Sequence, residues 1–442
     1  MSITTGRPRK WLILAYFFNT DGKAASQTIT DRIPLLLEED ILPVVISAPL
    51  GEKDRRFPHI RVFSLMPSGF QYELRYLLKK KEKSGGGWRI LKNISSILLL
   101  PLYLLERLVC HLETHWSWGL SATLRGMAAV FRYRPEVIYT TAGPSTTHLA
   151  GYLLHSLSGL PWIAEIHDPL VYDRDEGKLN QRFLFNNWLE AKICSRASAV
   201  IYFTHHALAS ADRRHPIAGL KAVLRPGAAP PAAAGAAYAK KEAIHFGHFG
   251  SLASGRNLAM LIRTLYSLFQ EEPDLQQLVC LDVYGSDLDP VSKKTLAAFP
   301  LGSSLQEHGR LEYDEKTGKS GRQQALEAMR QCDVLVILHG SGTVCEEYVP
   351  SKVYEYLLTG RPILGCTPRT SELGAILIET GHQVVDPDDQ EAIKNVLQEY
   401  IAVWSGKGLA GTAAVSPYTI DRTVRSLISI ADQITAGTGR LP

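Results

Sequence analysis

Two acidic residues eight positions apart, Glu347 and Glu355, lie in the run Glu347-Tyr348-Val349-Pro350-Ser351-Lys352-Val353-Tyr354-Glu355. The pattern predicts a loop that carries the first carboxylate just past an apolar strand, Val334 to Leu338. It then predicts a helix that starts near Pro350 and Ser351 and carries the second. In open parallel sheets, ligands bind outside the carboxyl ends of strands, where helix N-termini offer free N–H groups to phosphates. Carboxylates accept hydrogen bonds from sugar hydroxyls, so one acid can hold a ribose and the other a hexose. The plainer alternative is a capped helix with two solvated acids. Lys352 can reach a phosphate or remain solvated. A second segment, His245-Phe246-Gly247-His248-Phe249-Gly250-Ser251-Leu252-Ala253-Ser254-Gly255-Arg256-Asn257, runs from an apolar strand into a glycine-containing turn. Gly250 there lets the backbone approach a pyrophosphate, and Arg256 can supply a charge-assisted contact. A third, Pro161-Trp162-Ile163-Ala164-Glu165-Ile166-His167-Asp168-Pro169, sets a His-Asp pair at a strand end. His167 there is either a structural hydrogen-bonder or a group that faces a ligand.

These residues need strand ends to hold them, and the chain supplies strands in a regular rhythm. Trp11 to Phe18, Leu42 to Ser47, Val137 to Thr140, Trp162 to Ile166 and Ala199 to Phe203 are short apolar runs separated by helix-length segments. Continuous apolar runs are the pattern of strands covered on both faces, and strand alternating with helix means a parallel sheet. A helix is expected over Ala24 to Glu38, with Pro34 as a kink or break. Arg225 to Ala237 is rich in Pro, Ala and Gly and reads as a linker. The rhythm restarts with Ile244 to Phe249, Leu278 to Tyr284, Val334 to Leu338, Pro362 to Gly365 and Gln383 to Val385. The expected class is α/β, two Rossmann-like domains facing each other across a cleft. The boundaries are 1–224 for the first domain, 225–241 for the linker and 242–415 for the second. A terminal helix in 416–442 packs back towards the first.

The stretch from Glu347 to Leu364 resembles the signature of retaining GT-B glycosyltransferases of the "group 1" class, in the form found in bacterial polysaccharide and O-antigen transferases. Two glutamates separated by seven residues mark that signature. The resemblance implies that Glu347 contacts the donor sugar and Glu355 the ribose, with Ser351 and Lys352 beside the phosphates. Tyr356, Gly360 and Pro362 are assigned to packing and the turn into the next strand. The His245–Asn257 segment is similar to the family's Gly-Arg-Asn turn, which implies that Gly250 and Arg256 bind the donor diphosphate. Relatives carry a lysine about two turns further on. Asn257 to Ile262 contains none, so Arg263 or Lys352 is left to compensate. The Pro161–Asp168 strand end implies His167 as a group that positions the sugar, with Asp168 holding the loop. Asn19-Thr20-Asp21-Gly22-Lys23 stands where the family has its glycine-rich acceptor-side loop, though only Gly22 is a glycine. Ser145, within Gly143-Pro144-Ser145-Thr146-Thr147-His148, is a second acceptor-side residue.

Bulk properties narrow the field. The 442 residues carry 48 Lys and Arg against 44 Asp and Glu, a net charge of +4, too little for a dedicated nucleic-acid binder. The six cysteines form no C-x-x-C pair, and a reducing cytoplasm is expected. The run after Arg7, Arg9 and Lys10 reads as a strand, not a signal peptide. Asp-x-Asp matches at Asp173, Asp287 and Asp386 do not form a metal signature, the last preceding Gln390 and reading as a helix cap, so no metal and no cofactor are expected. No nucleophile elbow, Walker loop or Cys/His cluster is visible along the chain. One segment stands apart, 74–110. Arg75, Lys79, Lys80, Lys81, Lys83, Arg89 and Lys92 surround Trp88 and precede the apolar run Ile97 to Leu105. That composition suits the face of an anionic membrane, the alternative being a basic loop followed by a core helix. The functional expectation is a retaining, metal-independent hexosyl-type glycosyltransferase of cell-surface polysaccharide synthesis. Its partners are a nucleotide-diphosphate sugar, a glycan or polyprenyl-linked acceptor and an anionic membrane surface, with no nucleic acid. The expected place is the cytoplasm, on the inner face of the membrane. The rivals are a non-catalytic sugar-nucleotide-binding subunit and a sugar-nucleotide epimerase.

Overall fold

The computed structural model describes residues 8–82, 87–141, 143–173, 177, 179–229, 238–253, 255–285, 287–407, 409 and 416–436, with side chains outside 79–96, 343 and 407. The centre of the expected linker (230–237), Lys83 and Asp175 lie outside these residues. The side chains of Lys79, Lys80, Lys81, Trp88, Arg89 and Lys92 lie outside the described side chains as well. The chain divides into two compact units, residues 1–225 with 420–442, and residues 226–419.

The first unit runs β1 (Arg9–Leu14), α1 (Ala24–Glu38), β2 (Ile41–Ser47), β3 (His59–Arg61), α2 (Pro67–Glu82), α3 (Gly87–Val109) and α4 (Trp118–Tyr133). It continues β4 (Val137–Thr141), α5 (Thr146–Ser158), β5 (Trp162–Ile166), α6 (Gln181–Arg196), β6 (Ala199–Tyr202), α7 (His205–Arg214) and β7 (Leu220–Val223). Seven parallel strands lie in the order β3-β2-β1-β4-β5-β6-β7. The apolar run from Trp11 leaves the sheet at Leu14, because Ala15 onwards turns to bond Ile46 and Ala48 across the strand end. β4, β5 and β6 are buried at every position, as strands covered on both faces must be. Pro34 stays inside an unbroken α1. The short edge strands β3 and β7 carry too few apolar residues to stand out by pattern.

The second unit runs β8 (Ile244–Gly250), α8 (Ala259–Glu271), α9 (Leu275–Leu278), β9 (Val279–Gly285), α10 (Pro290–Ala298), β10 (Leu305–Gly309), α11 (Gly321–Gln331) and β11 (Val334–Leu338). It closes with α12 (Lys352–Leu357), β12 (Ile363–Cys366), α13 (Glu372–Glu379), β13 (Gln383–Val385) and α14 (Gln390–Lys407). Six parallel strands take the order β10-β9-β8-β11-β12-β13. One apolar cluster, with Leu261, Leu265, Leu281, Val336 and Trp404, covers one face. Another, with Phe249, Met329, Ile337, Tyr356 and Leu377, covers the other. The last helix, α15 (Ile420–Ala436), belongs to the first unit. It buries Ile420, Val424, Leu427 and Ala431, a stripe at helical spacing. Asp432 meets Arg9 at 2.6 Å, and the Thr423 hydroxyl donates to the Arg225 carbonyl.

Each of the three Asp-x-Asp matches has at least one aspartate with a local partner. Asp173 pairs with Arg213 and Arg214, and Asp289 caps α10 through the Val291 and Ser292 amides. The α14 cap expected from Asp386 or Asp388 comes from Asp389, whose Oδ1 accepts from the Ala392 amide. Those two aspartates turn elsewhere, Asp386 to the Asp388 amide and Asp388 to the Ser341 hydroxyl.

α2 buries one carboxylate, Glu73, completely. It accepts from the Tyr16 hydroxyl and from the Ser64 amide and hydroxyl. Burial pushes its pKa up to about 7 from 4.5, against the opposite pull of those hydrogen bonds. A raised carboxyl favours the protonated folded form, so its stabilisation is present below pH 4.5 and is lost as pH rises through 7. Thermal unfolding followed from acid to neutral pH should therefore decline less steeply in Glu73→Gln than in the parent. The full difference is about 3 kcal/mol at most, and identical slopes would contradict the assignment.

Candidate functional site

Both sheets reverse their strand order at one point, between β1 and β4 in the first unit and between β8 and β11 in the second. Loops diverge there and leave a crevice at the carboxyl ends of the strands. In the second unit, β8 ends at Gly250 with φ 141°, a value L side chains rarely adopt. Beside it, a Cβ on Gly285 would come 2.2 Å from the Gly250 carbonyl oxygen, so the ends of β8 and β9 meet as bare backbone. The β8 loop folds into a turn closed by the Ala253–Arg256 bridge, and its Gly255 carbonyl presses on Gly340 after β11. This contact carries Arg256 to the switch point. Its guanidinium lies 5.8 Å from the centre of the Tyr348 ring, against which His339 packs edge-on at 4.8 Å.

Two histidines at these strand ends were not singled out from sequence. His248 is buried on β8 and bonds the Val336 carbonyl through Nδ1. Burial holds it down at about 4, and the charges of Arg256 and Lys352 push the same way. His339, bonded through Nε2 to the Cys345 carbonyl, is lowered by burial and by Arg256. Both rings are neutral at physiological pH. The crevice end of the sheet therefore carries the positive potential of Arg256 and Lys352, a setting for an anionic group.

Glu347 follows a 3-10 turn, Thr343–Glu346, and is 1% exposed. Glu355 lies one turn into α12, on the side facing α11, the helix that precedes β11. Its Oε1 accepts from Arg322 Nε at 3.1 Å and its Oε2 from Lys352 Nζ at 3.4 Å. The two cations fix the orientation of the carboxylate. Ser351 starts α12 in helical geometry without a side-chain cap bond. With six residues, α12 is too short to add much dipole, so Lys352 supplies the charge at this end. Arg263, the other possible substitute for the absent lysine, lies over the Phe299 ring. It lines a surface cavity of about 410 Å³ with Tyr266, Gln270 and Gln390. The Tyr356 hydroxyl accepts from the Phe249 amide and donates to the Val336 carbonyl, stapling α12 under β8 and β11. Gly360 turns at φ 69°. Sequence reading placed Glu347, Gly250, Arg256, Ser351, Lys352 and Glu355 in one region, and the second unit sets all of them at the same strand ends. Arg322, 33 residues before Glu355, escaped it, since nothing in the pattern of α11 marks it out.

In the first unit, Gly22 (φ 67°), Ser145 and His167 follow β1, β4 and β5, adjacent strands that share one carboxyl edge. Ser145 bonds Glu113 through both its amide and its hydroxyl. His167 stacks on Phe203 at 4.3 Å and sets Nε2 2.9 Å from Glu165 Oε1 and 3.0 Å from the Thr141 hydroxyl. Glu165 is fully buried and bonds Arg32 of α1 at 2.6 Å, itself fully buried and bonded to the Tyr139 hydroxyl. Arg32 and His167 hold the Glu165 carboxyl far below its ordinary value despite complete burial. An ionised Glu165 can only accept, so Nε2 of His167 carries the proton.

Outside the 74–80 stretch of α2, the described side chains of segment 74–110 are those of α3 from Ile97 onward. Ile97, Leu98, Leu102, Leu104, Leu105, Leu108 and Val109 are all more than half exposed. What α3 buries is Glu106, which accepts from the Ser68 amide and hydroxyl and from the Trp116 indole. The core-helix alternative does not hold for this half of α3. No helix among the described residues is long and apolar enough to cross a membrane.

Residues 101–227 match the family model described as a glycosyl transferase 4-like domain. No curated protein matches the chain. Among solved structures, the α,α-trehalose 6-phosphate synthase of Burkholderia multivorans is similar with a TM-score of 0.64 at 13% identity, covering 98% of this chain and 100% of its own. HepE of Anabaena in complex with UDP-glucose has a TM-score of 0.54 at 14% identity, with 98% and 100% covered. The E. coli trehalose-6-phosphate protein bound with UDP-2-fluoro glucose has 0.63 at 10%, with 96% and 99% covered. At these identities the likeness shows the fold: α/β, with two Rossmann-like units of the GT-B type.

Removing the cation beneath His167 leaves a buried charge uncompensated. Arg32→Leu should cost about 3–5 kcal/mol in urea unfolding, and Arg32→Leu with Glu165→Leu should recover most of that loss. Equal losses in the single and double variants would show that the two side chains do not act as a pair.

Proposed function

We propose that this chain is a metal-independent, retaining glycosyltransferase. It moves a sugar from a nucleotide-diphosphate sugar to a glycan or lipid-linked acceptor in cell-surface polysaccharide synthesis. The carrying observation is that Arg256, Lys352, Glu347 and Glu355 gather at the switch point of the second sheet, cations beside carboxylates. The match of residues 101–227 to a glycosyl transferase 4-like domain supports the reading. So does the likeness to HepE solved with UDP-glucose.

In this reading Glu355 holds the ribose hydroxyls, fixed in place by Arg322 and Lys352. Arg256, Lys352 and the bare backbone at Gly250 meet the diphosphate, and Glu347 holds the sugar hydroxyls. The bond from the anomeric carbon to the phosphate oxygen breaks as the acceptor oxygen bonds that carbon on the same face. The diphosphate leaves with the bonding electrons, and the acceptor hydroxyl proton passes to its departing oxygen. Arg256 and Lys352 stabilise the charge that develops on the leaving group, the task a divalent ion performs in other transferases. From the first unit, His167 is assigned to positioning the sugar, and Gly22 and Ser145 to the acceptor side. We assign the reaction to the cytoplasmic face of a membrane. There the exposed leucines of α3 insert between lipids, and the basic residues from Arg75 to Lys92 meet anionic headgroups.

Nucleotide sugars, UDP-glucose among them, should raise the melting temperature, and nucleoside diphosphate should appear only when a lipid-extract acceptor is added. Release should persist without magnesium or manganese, and product NMR should show the donor's anomeric configuration. Glu355→Ala should weaken donor binding at least about tenfold, the loss of a charge-assisted contact. Unchanged affinity removes the ribose assignment. Donor consumption without acceptor would point to an epimerase, and binding without turnover to a non-catalytic subunit.

Sedimentation with phosphatidylserine vesicles tests the membrane assignment separately. Binding should be strong near about 50 mM salt and fall several-fold by about 500 mM. Leu102→Glu with Leu105→Glu should abolish it, since these side chains face solvent and their change leaves the core alone. A protein that stays unbound at the lower salt has no such surface.

A further inference from the structure

His245 of β8, Cys280 and Asp282 of β9 and His308 of β10 come from parts of the sequence up to 63 residues apart, yet they converge on one face of three adjacent strands. The register pairs His245 with Cys280 and Gln306 with Asp282, and alternation puts Cys280, Asp282 and their partners on the same side. A β-bulge between Glu307 and Gly309 re-aims the edge strand at His308. Its ring is then held by stacking on Tyr284 at 4.2 Å. Nδ1 of His245 and Nε2 of His308 each stand 2.6 Å from a different oxygen of Asp282. Cys280 Sγ lies 3.8 Å from Oδ1. Donor atoms of His245, Cys280 and Asp282 all fall within 4.8 Å of one another.

We propose that His245, Cys280, Asp282 and His308 form a binding site for a zinc-class divalent ion, separate from the nucleotide-sugar site. Two imidazoles, a thiolate and a carboxylate are the donor mixture that zinc accepts in tetrahedral geometry, whereas calcium and magnesium take oxygen donors alone. Donors in a tetrahedral zinc site are roughly 3.3–3.8 Å apart for bonds of about 2.0–2.3 Å. The Cys280–Asp282 separation lies at that spacing already. The two imidazoles open from the carboxylate by under an ångström, and His308, which lies outside the compact group of the other three, swings in further from the edge strand to complete the set. Asp282 and Cys280 are buried, while His245 and His308 keep 17% and 31% of their side-chain surface, which gives an ion a way in. The site lies five residues down β8 from Gly250, roughly 16 Å at strand spacing. Its ion would therefore pin the edge strand β10 to β8 and β9 and take no part in sugar transfer. The cluster was invisible along the chain because no two of its members have a metal-ligand spacing except Cys280 and Asp282.

Tag-free full-length protein, stripped with chelator and dialysed, should take up one equivalent of Co²⁺. The bound ion should show intense tetrahedral d–d absorption and a thiolate charge-transfer band in the near ultraviolet, and one equivalent of Zn²⁺ should abolish both. Cys280→Ser should lose the charge-transfer band. His308→Gln, at a partly exposed edge position that leaves folding intact, should weaken uptake at least about tenfold. Failure to bind Co²⁺ or Zn²⁺ at micromolar protein overturns the proposal, as does uptake that neither substitution changes. The cluster is then a carboxylate bridged by two histidines for structural purposes only. Transferase assays enter neither outcome.

Discussion

A carboxylate out of reach of water must be met by donors or cations, or it costs several kcal/mol and takes up a proton. Three carboxylates in this chain meet that requirement in different ways. Glu165 is answered from beneath by Arg32, which fixes the charge state of the pair and so the tautomer of His167 above it. Glu355 is answered from the side by Arg322 and Lys352, which orient it. Asp282 is answered by two imidazoles that carry a full charge only when protonated. That makes it the one of the three whose compensation is conditional. Glu73 marks the contrasting case, held only by neutral donors and pushed up to about 7.

Topology explains why the charges around Glu165 and Glu355 collect at strand ends. A doubly wound sheet sends its loops apart at the switch point, and the space between them admits a ligand without opening the core. In the second unit the β8 and β11 loops still touch, Gly255 against Gly340, and the contact tolerates no side chain. Arg256 is thus carried on a turn braced from two strands. The segment from Gly340 to Ser351 contains only a 3-10 turn and then a six-residue helix. Short elements with few internal hydrogen bonds open at low free energy cost. Tyr356 bonds α12 to both central strands, which anchors the end of the acidic segment.

The strands and the acidic run were legible in sequence because both depend on neighbours along the chain. Apolar runs at β4, β5, β6 and β11 are periodic signals, and Glu347 to Glu355 is a contiguous segment. β3, β7 and β10 left too little pattern, since edge strands are short and half solvated. The partners of the functional groups were not legible for a different reason. Arg322 meets Glu355 from another helix, Arg32 meets Glu165 across 133 residues, and His308 meets Asp282 from an edge strand. Each pairing is set by sheet order, which single-sequence periodicity does not encode. Asp389 in place of Asp386 at the start of α14 is a smaller miss of the same kind: several aspartates stood close together, and the last of them reached the helix amides.

α3 reverses the usual rule for a surface helix. Among its described side chains, polar Glu106 points inward to three donors, and Leu98, Leu102, Leu104, Leu105 and Leu108 face out. A water-facing helix gains nothing from that arrangement, since each exposed leucine forgoes about 1.5–3 kcal/mol of burial. Contiguous apolar surface of this kind marks a contact with something apolar. The sequence sets a basic run on the elements just before it, α2 and the start of α3, and near an anionic surface each cation adds about 1 kcal/mol. A few inserted leucines with a few cations give a binding energy that is substantial yet reversible and salt-dependent. That balance suits the proposed transfer from a soluble donor to a lipid-held acceptor. The inverted helix therefore bears on the acceptor question that the donor-side residues, Glu347 and Glu355 included, leave untouched.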